Sequence, residues 1–161
     1  MNHDKENLSF KIREIQRDDL DEVYQMLLDL IKHDKLEDRF KISKKSLGDY
    51  LFAENPDWFC LVIQDLTNNN LKGFLIYTIS NLNRSFHQTT ALYIDHLYLK
   101  PEYRNHNVGE KMIDILKNKA KNQGVKRLEV WCMSYNEIGN SFYQKIGAEK
   151  VNHINMYRIN F

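Results

Sequence analysis

Tyr93-Ile94-Asp95-His96-Leu97-Tyr98-Leu99-Lys100-Pro101-Glu102-Tyr103-Arg104-Asn105-His106-Asn107-Val108-Gly109 is the stretch on which the fold turns. A hydrophobic strand runs into a short turn, and a helix begins at once. Pro101 ends the strand because it has no N–H for a sheet ladder. Asn105 and Asn107 belong to the residue type that best tolerates positive φ after glycine. Such a turn can aim successive backbone N–H groups outward, and the helix start adds unpaired N–H groups and a partial positive charge. The result is an anion site suited to a pyrophosphate, with Arg104 at its rim for a charge-assisted bond. A plain strand-to-helix connection has the same outline, so both readings stand at this point.

On either side the periodicities supply the rest of the fold. Thr89 to Leu99 is the longest strand candidate. Before it, Trp58 to Gln64 and Leu71 to Ile79 are β-rich runs separated by turn chemistry at Asp65 to Asn70, which predicts an antiparallel hairpin. Phe10 to Glu14 reads as a short strand. Leu20, Val23, Leu27, Leu30 and Ile31 mark one face of a helix over 18–32 with Asp18 as its cap, and Ser43 caps a second helix carrying Leu47, Tyr50 and Leu51. Downstream, Val108, Met112, Ile115, Leu116 and Ala120 predict a helix over 107–122 that stops near Gly124. Arg127 to Met133 alternates as a strand, a helix runs over 137–146 to Gly147, and Tyr157 to Phe161 reads as a last strand. This order calls for a mixed α/β sheet with helices on both faces and one domain over residues 1–161.

Composition narrows the function. The 161 residues suffice for one core, and they are 42% hydrophobic and 28% charged. Lys plus Arg total 23 against 22 Asp plus Glu, a formal net charge of +1, so no bulk field draws nucleic acid. No apolar run has the length of a membrane span, and the N-terminus has no signal-peptide core, so the expectation is a cytoplasmic chain. Cys60 and Cys132 lie in apolar runs without ligand spacing, which favours buried thiols and no metal site. Asp34, Glu37 and Asp38 form an acidic stretch that reads equally well as a rim for a cationic substrate or as a solvated loop.

The 93–109 segment resembles the acetyl-CoA signature of the GNAT superfamily, which runs Arg or Gln, two residues, Gly, one residue, then Gly or Ala. Arg104 and Gly109 occupy the first and last places, and Asn107 stands where the first glycine is usual. A second block strengthens the resemblance. Asn136-Glu137-Ile138-Gly139-Asn140-Ser141-Phe142-Tyr143-Gln144-Lys145-Ile146-Gly147 follows the strand at 127–133 with the family's spacing from Asn to Tyr and from Tyr to Gly. Within the superfamily the chain is similar, over nearly its whole length, to the spermidine/spermine and thialysine acetyltransferase branch. Tyr93 to Leu99, Ile31 to Asp38 and Pro101 to Arg104 carry that likeness.

The resemblance implies a mostly antiparallel sheet of six to seven strands, splayed at a central pair, and an acetyl-CoA-dependent N-acetyltransferase acting on a small amine. It implies that Asp95 stands for the carboxylate that helps deprotonate the substrate ammonium, through water. Tyr143 stands for the acid that protonates the departing thiolate. The implied cofactor contacts are Leu97, Tyr98 and Leu99 along the strand, Arg104, Asn105, His106, Asn107, Val108, Gly109 and Glu110 in the loop and helix start, and Asn136, Tyr143 and Lys145 downstream. The substrate side draws on Asp34, Glu37, Phe86 and Asp95. Members of the branch pair as homodimers. The loop from Asn81 to Thr90, with Arg84 and His87, departs from the branch, and His96 replaces an acidic residue, so a diamine or thialysine-like amine stands beside spermidine. A GNAT enzyme for peptides or amino acids, and a CoA-binding regulatory module without turnover, are the competing readings.

Overall fold

The computed structural model describes residues 8–81 and 90–161. Arg84, Phe86 and His87 therefore lie outside the described residues. In chain order the elements are β1 (Phe10–Glu14), α1 (Leu20–His33), α2 (Lys44–Phe52), β2 (Phe59–Asp65), β3 (Leu71–Ser80), β4 (Ala91–Leu99), α3 (Val108–Asn122), β5 (Leu128–Val130) and α4 (Glu137–Lys145). Single 3-10 turns at Arg17–Asp19, Glu37–Arg39 and Pro101–Tyr103 join them.

The chain forms two compact units, one ending at Trp131 and the other running Cys132–Phe161. The first holds a sheet in the order β1-β2-β3-β4-β5, antiparallel through β4 and parallel between β4 and β5. Alternation along the strands divides its core into two layers. Cys60, Val62, Phe74 and Ile76 face α1 and α2, packing with Val23, Met26, Leu27, Leu47 and Leu51. The intervening Leu61, Ile63 and Leu75 are also buried, as are Met112, Ile113 and Leu116 of α3. Lys119 of α3 meets Glu14 of β1 at 2.6 Å, which places α3 on the sheet's other face. Each such buried side chain contributes roughly 2 kcal/mol.

The helix over 18–32 begins differently from its expectation. Asp19, not Asp18, closes its entry: the Gln16 N–H donates to Asp19 Oδ2 at 2.7 Å, and the Arg13 guanidinium donates to both carboxylate oxygens at 2.6 and 2.9 Å. Ser43 caps α2 as expected, accepting from the Ser46 N–H at 3.1 Å.

Two expected strands shrink. The run at 127–133 is strand only over Leu128–Val130, and no strand forms at Tyr157 to Phe161. Tyr157 and Ile159 are 86% and 85% exposed, so their alternating pattern is present without a neighbour to pair with. The sheet among the described residues accordingly has five strands rather than six or seven. In the second unit, Asn136 Oδ1 accepts from the Gly139 N–H at 2.8 Å to cap α4. Gly139 is required there, since an added Cβ would lie 2.8 Å from Cys132 Sγ.

Candidate active site

The site begins with a defect in β4. Ile94 pairs with Tyr77 and His96 pairs with Ile76, which leaves Asp95 as the extra residue of a β-bulge. A bulge bends its strand and frees one residue from the ladder. Asp95 Oδ2 is buried with no hydrogen-bond partner among the described residues. Burial pushes the Asp95 carboxyl up to about 6, because a low-dielectric setting disfavours the charged form. The carboxyl is thus poised to exchange a proton near neutrality.

Beyond the bulge, one edge of β4 has no strand paired to it among the described residues. β5 pairs with β4 only through Leu92, Tyr93 and Ile94. On the opposite side, the Lys100 N–H donates to the Lys72 carbonyl at 2.9 Å. Hydrogen-bonded pairs alternate in an antiparallel ladder, so Leu97 and Leu99 turn their N–H and C=O groups away from β3, toward the parting between β4 and β5. The Leu99 carbonyl accepts from Arg104 Nε at 2.9 Å, which ties the following loop to this edge. Tyr98 lies on the α1 side, with the Arg104 guanidinium 5.7 Å from its ring centre.

The loop has the backbone its asparagines allow. Asn105 and Asn107 take φ of +61° and +59°, both in the left-handed region. Asn107 is the residue before α3, and its side chain makes no cap hydrogen bond. The N–H groups at the start of α3 therefore receive no hydrogen bond from the Asn107 side chain. Tyr103 anchors the loop from behind. It is buried, its phenol is pushed up by that burial and by Asp65, and Lys72 Nζ lies 5.8 Å from its ring centre.

Next come the residues expected from sequence on the acceptor side. Asp34 is the cap residue at the end of α1, its side chain 16% exposed and its Oδ1 3.1 Å from His33 Nδ1. Its charge reaches His96, whose imidazole is nonetheless held down at about 4 by burial and is neutral at physiological pH. Glu37 lies in an exposed 3-10 turn, as does Asp38. Of the acidic stretch, then, Asp34 is the member brought to β4. Two rings that the sequence reading placed only on a helix and at the start of a β-rich run also gather here. Trp58 lies 5.9 Å from the His96 ring and 5.3 Å from the Tyr50 ring, centre to centre. No periodicity announces them, because the contact joins α2, β2 and β4 across the fold.

Asn136, Tyr143 and Lys145 sit on or beside α4 in the second unit. Asn136 is the cap residue already described, and the Phe142 and Tyr143 rings meet edge-on at 5.2 Å.

Residues 15–148 match the model of the Acetyltransferase (GNAT) family. The chain belongs to this family. Among individual relatives, the thialysine N-epsilon-acetyltransferase of Bos taurus is 28% identical over 144 residues, covering 86% of this chain and 83% of that one. Two solved structures share the fold. A ribosomal-protein-alanine N-acetyltransferase from Brucella melitensis biovar Abortus 2308 superposes with a TM-score of 0.72 at 20% identity, covering 95% of this chain and 99% of that one. An aminoglycoside N-acetyltransferase in complex with CoA gives 0.76 at 15% identity, covering 96% and 97%.

The protein is thus an N-acetyltransferase, and acetyl-CoA is its acyl donor. The residues present fit that donor. The outward edge of Leu97 and Leu99 offers alternating amide partners for a pantetheine arm, and the start of α3 offers N–H groups for a diphosphate. Among the described residues, no helix of the acetyltransferase is long and apolar enough to cross a membrane.

Proposed function

We propose that the acetyltransferase transfers acetyl to a small primary amine of the diamine, polyamine or thialysine kind, by direct attack with both substrates held together. The observation that carries this reading is the buried, unpartnered Oδ2 of Asp95 at the bulge. A protonated amine has no lone pair, so its proton must go before attack, and a carboxylate poised near neutrality collects it through one water. The relative named thialysine N-epsilon-acetyltransferase supports the small-amine class.

Acetyl-CoA supplies the acyl group as a thioester. The loop from Arg104 to Gly109, with Glu110 in the first turn of α3, holds the diphosphate, and the Leu97 and Leu99 main chains hold the pantetheine arm beside Tyr98. A backbone N–H from the same edge polarises the reacting carbonyl. Asn136 and Lys145 add cofactor contacts. Tyr143 delivers its phenolic proton to the departing sulfur, an assignment that rests on the resemblance of the Asn136 to Gly147 block to the second motif of the family. Asp34 gives the approach its negative charge, with Glu37 in the exposed turn that follows it.

The test is thiol release from acetyl-CoA against putrescine, spermidine, spermine, thialysine, lysine and a basic peptide, run on wild type and Tyr143→Phe. Turnover is expected on at least one small amine, and Tyr143→Phe should lose about 100-fold or more of it while still binding acetyl-CoA. Turnover confined to the peptide would overturn the substrate class. Unchanged turnover in Tyr143→Phe would remove that residue as the acid.

A further inference from the structure

The face of the sheet beside Asp95 carries an aromatic arrangement that the transfer chemistry leaves unused. Tyr50 closes the last turn of α2, Trp58 stands immediately before β2, and His96 follows Asp95 on β4. The three rings lie in sequence, Tyr50 to Trp58 at 5.3 Å with planes 58° apart and Trp58 to His96 at 5.9 Å with planes 84° apart. The Trp58 N–H donates to the Tyr50 carbonyl at 3.3 Å, so α2 and β2 are fastened together beneath the rings. Neither large ring is fully buried. Tyr50 is 40% exposed and Trp58 is half-buried, packing by one side against the α1–α2 layer.

One acidic group reaches the inner end of this series, at His96. Asp34 acts electrostatically on His96, and burial keeps that imidazole neutral, so it adds no positive charge to oppose a cation. Aromatic faces attract ammonium groups, and a nearby carboxylate reinforces them. They also cover methylene chains well. A carboxylate-bearing ligand would find π faces and Asp34 unfavourable.

We propose that Trp58, with Tyr50, is a specificity-determining residue of the acceptor site: it receives the methylene chain and distal ammonium of a diamine whose near nitrogen lies at Asp95. This rests on the small-amine reading above and deepens it, favouring acceptors with two ammonium ends over amino acids, whose far end is zwitterionic.

The decisive experiment compares kcat/KM for 1,4-diaminobutane and butylamine, equal in carbon count and differing only in the second ammonium. Wild type is expected to prefer the diamine by about tenfold or more. Trp58→Leu should bring the two substrates to within about threefold, raising KM for both because the chain contact is lost, and raising it further for the diamine, which also loses its ammonium contact. Trp58→Phe keeps an aromatic face and should keep most of the preference. Should Trp58→Leu fail to fold, Tyr50→Leu at the more exposed ring carries the same expectation in weaker form. Variants that turn over both amines with the wild-type preference intact overturn the proposal and leave the small-amine reading standing. Wild type that turns over neither amine overturns the proposal, and the small-amine reading falls with it only where spermidine, spermine and thialysine are silent as well.

Discussion

Asn107 shows how much one side chain in a loop has to satisfy. At φ +59° it occupies a region where an ordinary Cβ is crowded, and Asn105 does the same two residues earlier at +61°. Asn107→Gly should therefore leave acetyl-CoA affinity within about twofold of wild type, since glycine adopts this conformation without cost. Asn107→Ala should weaken it by about fivefold, the equivalent of roughly 1 kcal/mol of backbone strain. Calorimetric titration distinguishes them, and equal affinities for all three proteins would mean the left-handed turn does not shape the loop. The tolerance of Asn for this conformation is a property of the residue itself, which is why the turn was legible without coordinates. The choice between Asp18 and Asp19 was not, because it depends on Arg13 reaching across from β1 to the second of two adjacent acids.

Helices α1, α2 and α3, and the hairpin of β2 and β3, follow from periodicity and turn chemistry, and they fall where the sequence pattern places them. The bulge in β4 does not show in its residues. It arises from register against β3, where Ile76 and Tyr77 are consecutive while their partners are two apart, and alternation in one strand carries no record of its neighbour. Gly73 is the part of that pairing a mutation can reach. A Cβ added there would lie 2.6 Å from the Tyr98 carbonyl oxygen and 2.7 Å from Leu99 Cδ2, so β3 and β4 lie this close only because the position is glycine. Gly73→Ala is expected to cost about 2–3 kcal/mol in stability and to weaken acetyl-CoA binding, because it displaces the β4 edge that carries Leu97 and Leu99. A melting temperature equal to wild type would show that the strands part there without penalty. The tail at Tyr157 to Phe161 errs in the opposite direction: its alternation is genuine, but a strand exists only when another edge accepts it.

With a formal charge of +1 the whole chain exerts little long-range pull on a cationic acceptor, so affinity has to come from local groups such as Asp34 and the rings at Trp58 and Tyr50. The family and its cofactor were readable from two motifs in correct order, whereas the acceptor side was not, because its residues come from α1, α2, β2 and β4. Asp95 links this site to the behaviour of the entire molecule. Its folded carboxyl titrates near 6, above the ordinary value of 3.8, so the native state holds a proton that the unfolded chain has already released. Native stability is therefore lost as pH rises from about 4 to 6, and Asp95→Asn, which has no proton to lose, should be more stable than wild type above pH 6. Partial exposure limits the gain to the order of 1 kcal/mol, vanishing by about pH 4. The catalytic consequence has the reverse sign. The measurement to make is the ratio of wild-type to Asp95→Asn turnover on one small diamine across pH 5 to 9, since the amine's own ionisation cancels in the ratio. The ratio is expected to stand near 100 above about pH 6 and to fall toward tenfold less for each pH unit below it. A ratio near one, or a large ratio that stays flat across that range, would contradict Asp95 as the base.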